Sequence, residues 1–334
     1  MQNIRPLIIM VWMQNPLAGL GDLLRGTIIL HELSQRLDFR FMVDTQFHPI
    51  KNFLVSNSHE YSDYVLQNKN SIINLVNSSN VIDSIKNILL HPDSKIKPIL
   101  LISNLMEKIT PNVRTISFIR TILNPTEEFK TEFNSMCNEL KIARNYSIMH
   151  LRLGDDDLVR NVTNFEKYNQ TVPIIDAHVR PNDNTLIIAD SFAFKQYLRK
   201  VRPHLAHLII PTKPIHLSHS TEKDTQMIKE TLFDLFLLMN ARVIKTYTIY
   251  GWTSGFVQSV SHVFNIPLVS VTHNIQNMIS EKTTQFHSPI VVLGNSRVKQ
   301  VNISMPMHTN LRITPPSNSK LLSNPLIHFK LNKL

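Results

Sequence analysis

Hydrophobic positions along this chain fall into short continuous runs and longer amphipathic stretches, in alternation. Residues 7–13, Leu-Ile-Ile-Met-Val-Trp-Met, are apolar throughout and end at the polar turn Gln14-Asn15-Pro16; such a run reads as a buried strand. Between 23 and 37, Leu23, Leu24, Ile28, Leu30, Leu33 and Leu37 recur at three- and four-residue spacings, which predicts a helix. Residues 39–43 form a second strand run, ending at Asp44. Helices are predicted over 81–90 and 126–142 and a strand over 98–105, while 55–80 is polar and rich in Asn and Ser. The pattern then sharpens. Strands are expected at 146–149, 186–189, 205–210, 242–246 and 266–271, and helices at 192–201, 225–240 and 256–264; residues 158–183 read as a polar connection. On the helix at 225–240, Ile228, Thr231, Leu232, Leu235 and Met239 share one face, and Asp234 lies on the other, as a solvent-facing acid would. Apolar strands alternating with helices predict an α/β fold built on parallel sheets.

Composition narrows the class. The chain has 334 residues, 43% hydrophobic and 18% charged, enough for two domains. Nothing approaches the 18 or so consecutive apolar residues of a membrane helix. Residues 7–13 resemble a signal core, but no small-residue cleavage site follows. The single Cys137 excludes an internal disulfide and fits a reducing compartment. A soluble, cytoplasmic protein of microbial or viral type, rather than a secretory one, is therefore expected. The formal net charge is +10, of which residues 281–334 supply +6 through seven Lys/Arg and one acid, Glu281. The other 280 residues carry only +4, which suits a phosphate-bearing small ligand. No aromatic-basic interleaving points to nucleic acid, and the basic tail leaves room for peripheral contact with an anionic surface.

Glycine placement carries more information than glycine content. The chain has seven glycines, where average usage of roughly 7% would give about 23. Six of them are Gly19, Gly21 and Gly26; Gly154; Gly251 and Gly255. Each group lies at a strand-to-helix turn, where a sheet presents its ligand site. Gly19-Leu20-Gly21-Asp22 opens the first helix without a GxGxxG pattern, and no Gly-Lys-Ser/Thr follows, so a P-loop is excluded. A helix N-terminus suits an anion in any case, and Asp22 there reads equally as an N-cap.

The central stretch is His150-Leu151-Arg152-Leu153-Gly154-Asp155, followed by Asp156 and Asp157. Arg152 is the candidate phosphate ligand, because a guanidinium is always charged and grips two oxygens; its structural alternative is a salt bridge to a following aspartate. His150 suits a base or ribose, or a satisfied structural role. Thr253 and Ser254, between glycines at a helix start, offer hydroxyl and N–H donors to the same anion, or simple capping. The aspartate run also fits D-x-D metal binding, a reading weakened by the cation beside it. His216 and His219 lack a carboxylate at ligand spacing.

These residues resemble the fucosyltransferase superfamily with a GT-B fold: the α1,6-fucosyltransferases, the α1,2-fucosyltransferases and the protein O-fucosyltransferases. His150 to Asp155 looks like their H-x-R-x-G-D motif, and Gly19 to Gly26 like their N-terminal glycine loop. Leu186 to Ser191 is similar to their second motif, with Ala189 in place of the hydroxyl residue. Asp234 to Asn240 and Arg242 to Phe256 resemble the third. The resemblance implies two Rossmann-like domains facing a cleft: 1–145 on the acceptor side, 146–280 binding the nucleotide sugar, and a basic segment 281–334 packing back on the first. It implies inverting transfer of fucose from GDP-fucose to a glycan or other hydroxyl acceptor, with no metal and no cofactor. Arg152 and Asp155 would be catalytic, Arg152 holding the β-phosphate and Asp155 standing as a candidate base. Gly19, Gly21, Asp22, His150, Asp190, Asp234, Thr253, Ser254 and Phe256 would complete the donor site. The alternatives are a GT-B enzyme using another nucleotide sugar, or a catalytically silent nucleotide- or glycan-binding protein.

Overall fold

A computed structural model describes residues 5–13, 19–55, 59–76, 80–103, 110–159, 163–217, 220–250 and 252–271. Its first half is built on a four-stranded parallel sheet. β1 (Leu7–Met13) is followed by α1 (Leu20–Arg36), β2 (Arg40–Phe47), the short α2 (Ser62–Gln67), β3 (Ile73–Asn74), α3 (Val81–Leu90) and β4 (Ile99–Ile102). The strand order is β2-β1-β4-β3. β1 is central, and Ile8 through Trp12 are wholly buried because a parallel strand is covered on both faces. Trp12 donates its indole N–H to Thr27 Oγ1 at 3.1 Å, tying β1 to α1. Two further helices, α4 (Val113–Ile122) and α5 (Glu127–Glu139), follow; Asn112 and Thr126 cap them through side-chain oxygens.

The second sheet is also parallel. β5 (Ser147–Arg152) leads through α6 (Asp155–Val159) and α7 (Phe165–His178) to β6 (Thr185–Ala189), then α8 (Phe192–Val201), α9 (Thr225–Met239), β7 (Ile244–Thr248), α10 (Gly255–Phe264) and β8 (Leu268–Ser270). The order is β6-β5-β7-β8. The chain steps outward from β5 to β6 and then crosses back to β7. The gap between β5 and β7 is therefore the topological switch point, where doubly wound sheets bind ligands. One apolar core runs through both halves, from Ile8 and Leu24 to Ile148, Leu232 and Val260.

Three expectations change. Residues 158–183 contain helix α7, whose Tyr168, Val172 and Ile175 are buried; Pro173 inside it and its polar outer face conceal the period. Residues 205–210 are mostly 3-10 helix, Pro203–Leu208, leaving Ile209 as a single bridge to Ile187; Pro203 starts that turn with its fixed φ. Finally, α9 is buried on every side from Thr231 to Leu238, so Asp234 is 4% exposed rather than solvent-facing. Phe233 and Phe236 of α9 meet Phe133 and Phe129 of α5 at ring separations of 5.2 and 5.3 Å, and Tyr146, just before β5, donates to Leu237 O at 2.8 Å. His219, Gly251 and the segment 281–334 lie outside the described residues.

Candidate functional site

A cavity of about 420 Å³ opens at the C-terminal ends of β5, β6 and β7 and is closed on the other side by the start of α1. That volume is typical of small-molecule sites. The turn after β5 is braced by a single carboxylate. Asp190, at the end of β6, accepts from Arg152 Nη1 at 2.7 Å, from the Leu153 N–H at 2.8 Å and from the Gly154 N–H at 3.2 Å. One buried carboxylate thus fixes both the arginine and the backbone that carries it. Gly154 has φ +110, and a Cβ there would lie 2.8 Å from Ile249 Cδ1, so only glycine makes the turn without strain. Arg152 also donates to Asp155 Oδ1 at 2.5 Å. Burial opposes the charge on Arg152, but Asp190 and Asp155 outweigh it and hold the guanidinium above its ordinary pKa.

His150 lies on β5, 5% exposed, with Nδ1 3.2 Å from Thr246 Oγ1 and its ring 6.4 Å from Phe256. Burial, then Arg152 and Lys195, push its pKa down to about 3. It is therefore a neutral imidazole, suited to hydrogen bonding rather than to carrying charge. Asp234 approaches from α9. Thr212 Oγ1 donates to its two oxygens at 2.8 and 3.1 Å, and Lys195 Nζ stands 3.8 Å away. Burial raises Asp234 to about 6, against the pull of Lys195 and Thr212. Lys195 itself is fully buried; it donates to Thr212 O at 2.8 Å and Thr212 Oγ1 at 2.7 Å.

Two helix N-termini face the cavity. At the start of α1, Gly19 donates its N–H to Asp22 Oδ2 at 3.0 Å, so Asp22 is a reciprocal cap. At the start of α10, Ser254 occupies the N-cap position but its side chain makes no capping bond. The two ends pass very close: a Cβ on Gly21 would lie 2.6 Å from Phe256 N, and one on Gly255 would lie 2.8 Å from Arg25 Cζ. At the mouth, Trp252 is 67% exposed and stacks on Tyr250, with centroids 5.1 Å apart. Tyr250 Oη accepts the Asp155 N–H at 3.2 Å.

The cavity brings together Gly19, Gly21, Asp22, His150, Arg152, Asp155, Asp190, Asp234, Ser254 and Phe256; Thr253 is not among its lining residues. Asp155 is engaged by Arg152, and no group of three metal-binding side chains occurs among the described residues. His216 lines the cavity too, as do Arg25, Tyr250 and Trp252, which do not stand out in the sequence. Arg25 lies inside the glycine loop, and a cation next to a helix start is the signal available there. Lys195 gives no signal, because a lysine on an amphipathic helix reads as exposed.

The fold is of the GT-B class: α/β, with two parallel Rossmann-like sheets. No family model matches the chain, and no curated protein matches it. Among solved structures, NodZ alpha-1,6-fucosyltransferase soaked with GDP-fucose shares 13% identity and a TM-score of 0.50, over 87% of this chain and 100% of that one. Fucosyltransferase NodZ from Bradyrhizobium gives 11% and 0.49, over 80% of this chain and 96% of that one. An Arabidopsis thaliana FUT1 mutant in complex with GDP gives 9% and 0.48, over 81% and 71%. At these identities the likeness is one of fold.

Proposed function

We propose that the protein is a glycosyltransferase that moves fucose from GDP-fucose to a hydroxyl acceptor with inversion. The observation that carries this reading is the convergence of Arg152, His150, Asp234 and two helix N-termini on one cavity at the strand ends. An arginine fork and free helix N–H groups suit a diphosphate. A neutral histidine and an acceptor carboxylate deeper in the site suit a base and ribose. The NodZ structure of like fold was soaked with GDP-fucose, which supports the choice of donor.

In this mechanism the acceptor oxygen attacks the anomeric carbon as the bond to the β-phosphate breaks. The electron pair leaves with GDP, and Arg152 stabilises the charge that develops there, the usual role of a preorganised cation. Arg152 gives up its contact with Asp155 to reach the phosphate. The Asp155 side chain, 61% exposed, is then free to take the acceptor's proton. No metal is required by this scheme, since the cation is already in place. We also propose that residues near 145 divide an acceptor-side half from a donor-side half.

A donor panel tests the reading. GDP release from GDP-fucose, but not from UDP- or ADP-sugars, is expected, and it should survive EDTA. Arg152→Lys keeps the charge but loses the fork, and should lower turnover by about a hundredfold or more. Preference for a non-GDP donor would sink the fucose assignment. Binding of GDP without turnover across a panel of glycan acceptors would identify a silent binding protein instead.

A further inference from the structure

The cavity contains a second guanidinium that the scheme above does not use. Arg25 is on α1, in the first half of the chain, and lines the same cavity as Arg152. It leans back toward the N-terminus of its helix, as helical side chains do. One of its nitrogens, Nη2, donates to Asp22 Oδ1. Its planar group lies against Gly255 at the start of α10: a Cβ there would fall 2.8 Å from both Cζ and Nε. Any larger residue at 255 would push the guanidinium away. Arg25 Nε is buried without a hydrogen-bond partner, one of few such side-chain atoms among the described residues. A buried donor left unpaired is costly and calls for an explanation.

The charge balance supplies one. Arg152 is paired with two carboxylates, Asp190 and Asp155, so even with Asp155 released its single charge is shared with Asp190 and falls short of a diphosphate's. Arg25 has a single carboxylate partner, Asp22. It lines the same cavity from α1, beside the helix start whose Ser254 hydroxyl is not used for capping.

We propose that Arg25 is a phosphate ligand of this site, so that the donor's diphosphate is held between a guanidinium from each half of the chain. The inference rests on the nucleotide-donor reading but names a residue and a charge requirement that reading does not contain. It makes the donor site depend on both halves: α1 must stay seated on α10 for the second cation to be present. In the transfer step, Arg25 would share with Arg152 the charge that develops on the departing β-phosphate oxygen.

Calorimetric titration of GDP and of guanosine separates this role from a structural one, because guanosine carries no phosphate. Arg25→Ala should weaken GDP by about tenfold or more, the loss of one charge-assisted hydrogen bond, and leave guanosine affinity unchanged. Gly255→Ala, which displaces the guanidinium and keeps its charge, should act in the same direction. Melting temperatures show whether either variant is folded, and the second serves if the first is not. Equal GDP affinity in wild type and both folded variants would overturn the assignment of Arg25 while leaving the donor reading intact. Parallel loss of GDP and guanosine would make Arg25 a structural residue. A wild-type protein that binds neither GDP nor guanosine would overturn the donor reading and this inference together.

Discussion

Asp234 is held where burial and charge pull in opposite directions. Burial favours its neutral form and Lys195 favours the carboxylate, which leaves it titrating at about 6. An ionised carboxylate only accepts hydrogen bonds, whereas the protonated acid gives up acceptor capacity. If Asp234 receives N–H donors from a guanine base, guanosine affinity should be full above about pH 7 and fall as pH drops through about 6. Guanosine is the right probe, because a terminal phosphate also titrates near pH 6. Asp234→Asn should remove the step, and a pH-independent affinity in the wild type would refute the contact. Lys195 can be tested through the same titration. Lys195→Met removes the opposing charge, so the midpoint should move upward. It also leaves a buried carboxylate short of a partner, and unfolding free energy should fall by roughly 3–5 kcal/mol. Combining Lys195→Met with Asp234→Asn should recover part of that loss in chemical denaturation.

Elements here are placed by close approach as much as by apolar faces. α1 can meet α10 only because Gly21 and Gly255 lack side chains where the helices touch. Gly21→Ala would drive a Cβ to 2.6 Å from Phe256 N. That atom is backbone and cannot swing aside, so the helices must separate. The expected cost is about 1–3 kcal/mol, read as a lower melting temperature, together with weaker GDP binding as the two helix starts move apart. A variant that melts normally and binds normally would show that the crossing is slack. The second tie is at the other end of α10. Arg120 of α4 donates to Val263 O through Nε at 3.2 Å and Nη2 at 3.0 Å, and lies over the Phe264 ring at 5.3 Å. α10 is thus fastened to the first half at both ends.

Across the whole molecule, two neutral histidines are buried in different halves. His48 accepts the Ile50 N–H at 3.2 Å and is pushed by burial down to about 4; His150 is pushed to about 3. Both values lie below the ordinary 6.5, so the unfolded chain binds protons that the folded one refuses. Their stabilisation is complete above about pH 6.5 and is lost as pH falls toward about 4 and then about 3. Asp234 and Asp190, both raised by burial, act in the opposite sense, while His31, His178 and His262, lowered by burial, act with these two. His48 alone accounts for roughly 3 kcal/mol at full charge. Chemical denaturation midpoints should fall between about pH 6.5 and about 4, and His48→Gln should make that decline shallower. No helix of the described residues is long and apolar enough to cross a membrane.

Local chemistry makes much of this legible from sequence. Apolar runs mark β1, β5 and β6, because a strand covered on both faces must be apolar throughout. The scarce glycines mark the turns, because a positive φ at Gly154 and the contacts at Gly21 and Gly255 tolerate nothing larger. The arginine at a strand end is readable as a polar group where a parallel sheet opens. What sequence leaves undecided depends on which distant surfaces meet. Asp234 reads as exposed because one helix face is apolar; Thr212 and Lys195 cover it from the segment before α9 and from α8. Lys195 reads as a solvated helix residue, yet Thr212 and Asp234 close over it. Thr253 and Ser254 are equivalent in sequence, and only the start of α10 puts Ser254 on the cavity wall. Arg25 and Arg152 are far apart in the chain, and nothing local connects them. Their meeting in one cavity follows from the packing of α1 against α10, because which charges share a cleft is set by tertiary contact and not by neighbours in the chain.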